Sequence, residues 1–459
     1  MIYRLDEMDE SEVIALSLTN VSPSLYYHES KWFRPVMEAL SNVVPEKQRK
    51  TPHLKALKWF VTQSSRAIKT GSSGFYVGLD HKYYTNSPLG VGFKPVSELL
   101  YALEERGYID IYVGYGEISN GQVQCKKNSF VHLTEEGRKL WEIVDNKRIP
   151  YPRNEDVIEL KDRSSGEIKP TQGVKGIKEL KEKVVELNKT LAKTSIAYKG
   201  KPIAPTEYKR VYTDNIYGHG RFYVSGGGVQ LIPAVYRSAY LTFDGEGVVE
   251  LDFSSLHPNL LYEMVELTGE YHPVEGDGGV MEILGEDFKP YAADVSEIVK
   301  VDWGVVESHR KEFNMPNYDP VRNLLKRALL ISLNAIDRIQ ASAALRSRFR
   351  LDRERLPEYR EFVGIDNSMQ SWQVCDAVKE HNYLIEEYFY NDIGFKLMNK
   401  DSNIAARIVD TMLASDEPVL IYHDSFIVRG SAENLLYNAM REAWKAEIGD
   451  NKFCKIEKK

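Results

Sequence analysis

Apolar positions follow two different periods along this chain, and each change of period marks an element boundary. From Leu54 to Ile68 they recur at helical spacing, with Leu54, Leu57, Phe60 and Val61 on one face. Pro95 to Arg106 repeats the pattern, and Gly107 follows as a C-terminal stop. Tyr108 to Gly114 and Gln122 to Leu133 alternate instead, like two strands joined through Ser119-Asn-Gly121, and Thr134 caps a last helix from Glu135 to Val144. The pattern predicts a self-contained N-terminal unit over 1–149. Residues 150–175 are polar, carry Pro150, Pro152 and Pro170, and read as a linker. A long helix from Gly176 to Ile196 follows, with its stripe Leu180, Val184, Leu187 and Leu191 opposite a set of lysines.

Three later stretches put charge where apolar runs stop. Val248-Val-Glu-Leu-Asp252 is a β-type run ending in a carboxylate, after which Pro258 opens a helix. Val419 to Tyr422 and Phe426 to Val428 flank His423-Asp-Ser425 as a hairpin with a second carboxylate, Asp424, at its tip. Pro320 to Ala335 is apolar at helical spacing and sets Arg322 and Lys326 on one face. Two carboxylates on adjacent strands could hold a pair of hard divalent cations, and two cations on one helix face could grip a triphosphate. Taken singly, an aspartate ending a strand is equally well explained by a turn facing water.

The 459 residues suffice for two or three packed cores, and 42% hydrophobic with 28% charged residues is ordinary for a water-soluble protein. A net charge of −7 means that any nucleic-acid contact has to come from local basic patches. The most basic run is Arg346-Ser-Arg-Phe-Arg-Leu-Asp-Arg-Glu-Arg355, in which Phe349 interleaves with arginines as on single-strand binding surfaces. Cys125, Cys375 and Cys454 are isolated, which excludes a CxxC zinc site and a disulfide framework and fits a reducing, cytoplasmic setting. No apolar run approaches membrane-spanning length.

In order and spacing these stretches resemble motifs A, B and C of the right-handed polymerases: the family A DNA polymerases of the DNA polymerase I type and the related single-subunit phage-type RNA polymerases. Asp252 matches the metal-binding aspartate of motif A, and Asp424 that of the His-Asp motif C. Arg322 and Lys326 match motif B, where Asn334-Ala335 replaces the family's Tyr-Gly pair. Gly220-Arg-Phe-Tyr223 with Val229-Gln-Leu-Ile-Pro233 looks like the segment that contacts template and primer, which makes Arg221 and Gln230 nucleic-acid contacts. Asp401 to Val409 looks like the small-residue helix before the catalytic hairpin. The likeness runs from Ala197 to Arg429.

The resemblance implies an α+β right-hand core over 176–459: an antiparallel palm sheet (201–265 and 400–459), a thumb-like helix (176–200) and helical fingers (266–399). The preceding unit, with its order helix, helix, hairpin, helix, resembles a winged helix, whose Lys126 and Lys127 would touch phosphate. Also implied is template-directed nucleotidyl transfer without a proofreading exonuclease. Two Mg2+ ions, with Mn2+ as a substitute, would be held by Asp252, Asp424 and the Phe253 carbonyl. Arg322 and Lys326 would neutralise the triphosphate, with Asn334 near the nucleotide, and His423 would position the hairpin and the primer end. His257 stands where the DNA polymerases carry a glutamate that obstructs the ribose 2′-hydroxyl, which favours deoxynucleotides. Ser425, a nucleic-acid position, is serine as in the phage-type RNA polymerases and points the other way. The partners are template and primer nucleic acid and nucleoside triphosphates, with no membrane; the winged helix's own protein partner is not specified. The alternatives are a single-subunit RNA polymerase or primase, a degenerate polymerase acting as a nucleic-acid-binding regulator, and a two-metal nuclease.

Overall fold

The computed structural model describes residues 3–4, 31–43, 51–70, 72–79, 81–84, 90–114, 116–119, 122–126, 129–144, 157–203, 206–226, 229, 232, 234–269, 279–312, 318–355 and 368–459. Its buried apolar side chains form two clusters, one within 33–144 and one within 157–454. Together they make a mixed α/β molecule in which antiparallel pairing predominates.

In the first cluster, α1 (Thr51–Thr70) and α2 (Phe93–Glu105) pack beside a sheet of β1 (Gly74–Val77), β2 (Ile109–Val113) and β3 (Ser129–Leu133). Strand β3 lies between the other two and is antiparallel to both. Thr134 caps the following short helix Glu135–Lys139, its hydroxyl accepting from the Gly137 N–H at 3.1 Å. Strand β1 escapes the sequence pattern because four residues are too few to show a period, although Phe75 and Val77 are buried. Leu54, by contrast, is exposed on the first turn of α1. Glu98 and Glu104 on α2 are engaged within the unit, by the His53 ring at 2.8 Å and the Ile111 N–H at 3.2 Å. Arg66 of α1 reaches out of this unit and pairs at 2.9 Å with Glu207, both side chains buried.

The second cluster begins earlier than the linker reading allows. Residues Ile158–Lys161 form β4, parallel to β5 (Glu207–Thr213), and Asp162 closes the turn that follows by accepting from the Ser164 and Ser165 N–H groups and pairing with Lys169. The alternation Ile158, Leu160 was hidden by the prolines and polar residues around it. Helix α3 (Ile177–Lys193) docks through Ile177, Val184, Leu187 and Leu191, while several of its lysines pair with acids on the same helix or with Asp410. Its Asn188 behaves like a strand edge, donating to the Tyr208 carbonyl at 2.8 Å and accepting from the Tyr208 N–H at 2.7 Å. The Tyr208 hydroxyl, in turn, donates to the Ile421 carbonyl at 2.9 Å and accepts its N–H at 2.8 Å.

Strand β6 (Asn215–Gly226) pairs with β5 and leans on α8 (Gly394–Ala414). Gly220 permits that approach: its φ is +84°, and a Cβ there would stand 2.8 Å from the Tyr212 ring and 2.9 Å from the Ser402 hydroxyl. The seven-stranded sheet centres on β8 (Glu246–Phe253). It receives β7 (Leu241–Phe243) at its start, β10 (Ser425–Arg429) along most of its length and β11 (Ile456–Lys458) at its end. Strand β9 (Leu420–Tyr422) lies outside β10. Helices α4 (Leu256–Thr268) and α9 (Glu433–Ile448) belong to the same core, as do α5 (Pro320–Asn334), α6 (Arg338–Arg355) and α7 (Ser368–His381). Phe349 does not interleave with the arginines of α6 at the surface; it is buried, because the helical period that separates it from Arg346, Arg348 and Arg350 turns it to the core.

Candidate active site

Register does most of the placement. Asp252, near the end of β8, is the cross-strand partner of Ser425. Tyr422 pairs with Ser425 across a two-residue turn, so Asp424 sits one residue before that pair, at the tip. His423 takes the left-handed conformation that the tight turn needs, with φ +59°. The Phe253 N–H donates to the Asp424 carbonyl at 3.1 Å, locking the turn to β8. The hairpin is also held by buried Arg237, which forms a double hydrogen bond with Glu250 at 2.7 and 2.8 Å and lays its guanidinium 3.9 Å from the Tyr422 ring centre; the exposed His423 ring stands T-shaped to Tyr422 at 5.5 Å.

The two carboxylates feel each other. Burial raises the Asp424 pKa and the Asp252 charge raises it further, while Lys326 and Lys459 pull the other way. Asp252 Oδ1 accepts from the Ser425 hydroxyl, and Oδ2 pairs with Lys459 Nζ at 2.9 Å. Among the described residues no group of three or more His, Cys, Asp or Glu side chains gathers at a point. Asp252 and Asp424 offer carboxylate oxygens, the donor type that hard divalent cations such as Mg2+ and Mn2+ take.

Facing this pair, α5 begins at an Asp319 cap whose carboxylate accepts from the Val321 and Arg322 N–H groups at 2.9 and 3.0 Å. Arg322 and Lys326 are exposed on it and share one aromatic neighbour, Tyr291, with their charges 5.6 and 6.0 Å from its ring centre. Tyr291 is itself buried; burial pushes its hydroxyl pKa up to about 12, offset in part by a hydrogen bond with Ser255 and by Arg322. Lys326 also acts on the Asp424 carboxylate, so the helix cations and the strand acids belong to one site.

A second cluster stands beside it. Arg221 on β6 donates through Nε and Nη2 to the Asp401 carboxylate on α8, with the Nε contacts at 3.0 and 3.2 Å. His257 Nε2 lies 2.9 Å from the same carboxylate and 3.1 Å from Arg221 Nη2, and its Nδ1 is buried without a hydrogen-bond partner. Burial alone would raise the Asp401 pKa, but the hydrogen bonds from His257 and Arg221 outweigh it and the net shift is downward.

The structure thus brings together Asp252, Asp424, Phe253, Arg322, Lys326 and His423, and sets Arg221 and His257 alongside. Ser425 departs from its expected place on nucleic acid: its side chain is buried because its hydroxyl is turned to Asp252. Asn334 turns away from any ligand, donating to the Leu330 carbonyl at 2.7 Å and packing against Gly394. Gln230 and Lys127 lie outside the described residues, and of Lys126 only its place in the strand Gln122–Lys126 is described. Tyr291, Asp401 and Lys459 are site residues that pattern reading misses. Asp401 alone left a signal, as an acid on a helix of small residues that the core would have to neutralise.

No family model and no curated protein matches this chain. Among solved structures, the POL domain of Pol1 from M. smegmatis, in complex with DNA primer-template and dNTP, aligns over 92% of this chain and 71% of that one, at 12% identity and a TM-score of 0.30. A similarity of that size carries no weight for fold or activity. Among the described residues no helix is long and apolar enough to cross a membrane.

Proposed function

We propose that this chain is a template-directed nucleic-acid polymerase that joins nucleotides from triphosphates, with deoxynucleotides favoured. One observation carries the reading: the register of β8 against β10 sets two mutually repelling carboxylates at one strand end, opposite a helix that presents Arg322 and Lys326 over a shared tyrosine. In the reaction the 3′-oxygen of a primer bonds to the α-phosphorus of the triphosphate, the bond from that phosphorus to the bridging oxygen breaks, and pyrophosphate leaves. Asp252 and Asp424, with the Phe253 carbonyl, would hold the divalent ions, which when bound neutralise charge at the attacking and leaving oxygens. Arg322 and Lys326 bind the triphosphate, and Lys326 offers a proton to the departing pyrophosphate. Ser425 orients Asp252. His423 and Arg221 support the primer end.

His257 bears on sugar choice. Pinned by Asp401 and Arg221, its imidazole is a fixed obstacle and not a side chain that swings aside. Ser425, whose hydroxyl is engaged with Asp252, remains the feature that points to an RNA product. The N-terminal unit reads as a winged helix, with helix, strand, helix and hairpin in order; on its helix α2 the exposed Lys94 pairs with Glu98 at 3.8 Å, and Tyr101 and Glu105 face outward.

The test is extension of a labelled primer on a DNA template with Mg2+, comparing dNTPs with NTPs. Wild type should extend with dNTPs, Asp252→Asn and Asp424→Asn should each lose about 10³-fold or more, and His257→Gly should begin to accept NTPs. Extension by D424N at the wild-type rate would sink the assignment.

A further inference from the structure

From the placement of Lys459 we infer that it is a resident counter-ion of the metal-binding carboxylates, an ammonium that competes with the divalent cations for Asp252 and sets the metal concentration at which the site loads. The inference rests on the metal-site reading above.

The backbone brings Lys459 there by pairing. Strand β11 runs antiparallel to the end of β8, with Leu251 opposite Lys458, Asp252 opposite Glu457 and Phe253 opposite Ile456. The next residue stays on the strand, its N–H donating to the Glu250 carbonyl at 3.0 Å. From that anchor the side chain reaches back to Asp252 Oδ2 at 2.9 Å and donates to the Ser425 hydroxyl at 3.1 Å. Ser425 donates to Asp252 Oδ1. The three side chains close a triangle in which both oxygens of Asp252 are engaged.

That triangle leaves Oδ2 with an ammonium where a metal ion would sit. A magnesium ion needs to lie about 2.0–2.1 Å from its ligand oxygen, and a cation there would meet the ammonium of Lys459 at repulsive range. In the free site Lys459 offsets the charge of Asp252 while Lys326 acts on Asp424; a divalent cation supplies more charge than the Lys459 ammonium and displaces it. The exit is open, since the Lys459 side chain is 39% exposed while that of Asp252 is 14% exposed. The lysine therefore discriminates against weakly bound monovalent ions and low divalent concentrations at no cost to the loaded enzyme's geometry.

The experiment is a Mn2+ titration of the full chain, without nucleotide or nucleic acid, read by loss of the free-ion electron paramagnetic resonance signal. It compares wild type, Lys459→Met, Lys459→Arg and Asp252→Asn. Replacing the ammonium with a neutral chain should tighten Mn2+ binding about fivefold, the scale of a partly exposed ion pair, and should lower the Mg2+ concentration for half-maximal extension by a similar factor. Lys459→Arg, which keeps the charge, should stay near wild type. Weaker or unchanged Mn2+ binding in K459M, with binding lost in D252N, overturns the competition. Undiminished Mn2+ binding in D252N strikes instead at the metal-site reading beneath it.

Discussion

Two aspartate clusters lie side by side and meet opposite fates, one at the end of β8 and its neighbouring hairpin tip, the other bridging β6, α4 and α8. Asp252 and Asp424 face each other across adjacent strands, and the Asp424 pKa is raised by burial and by its neighbour's charge. Asp401, more deeply buried, is held below the usual carboxylate range because burial is outweighed by His257 and Arg221. The first pair keeps a like-charge repulsion, whereas in the second the carboxylate is matched by a guanidinium and an imidazole. Burial alone does not set the direction of a carboxylate's shift. The groups placed around it do.

The largest expected effect breaks the comparison on the supporting side. Asp401→Ala leaves Arg221 and His257 without their anion and should destabilise the protein by about 3–5 kcal/mol, read as a lowered urea midpoint. Asp424→Asn, measured in EDTA, should cost nothing or stabilise slightly, since it removes a like-charge contact. Equal losses in the two variants would erase the distinction drawn here. Next in size, Tyr291→Ala removes the ring on which Arg322 and Lys326 rest and should raise the half-saturating nucleotide concentration about tenfold, whereas Tyr291→Phe, losing only the Ser255 hydrogen bond, should change it little. An equal effect of the two would assign the role to the hydroxyl.

The smallest effect is in pH. Asp401 has a folded pKa below its unfolded value of about 3.9, so between the two the unfolded chain binds more protons and stability rises with pH. Its contribution is fully present above the unfolded value and is lost as pH falls through the folded one. The stability gap between wild type and Asp401→Asn should therefore begin to narrow as pH falls below about 4 and go on narrowing through the folded value. A gap that does not narrow in acid would show that Asp401 acts through packing and not through charge.

Much of the site could be read from local sequence, where spacing is itself the geometry. Arg322 and Lys326 share a face because a helix repeats every 3.6 residues, and the hairpin tip at Asp424 follows from two short apolar runs. What the sequence hid depends on partners far along the chain. Tyr291 reaches α5 from an irregular segment, Lys459 reaches Asp252 only through the pairing of β11, and Asp401 meets Arg221 only because Gly220 lets β6 close on α8. The inward turn of Ser425 follows from its pairing with Asp252, which no spacing rule reveals. Phe349 was misread for a different reason: a dense run of arginines drew attention from the phase of its helix.

The bond between Tyr208 and Ile421 has a consequence for how the protein behaves in a crowded solution. Strand β9 is the rim of the seven-stranded sheet, and in its tight hairpin Ile421 is the residue whose N–H and C=O point outward, away from β10. A bare rim of this kind is a template on which a stray strand from another molecule can add itself. One phenol hydroxyl occupies both groups, donating to one and accepting from the other. The tyrosine thus serves as a one-residue cover that keeps the seven-stranded sheet from growing outward.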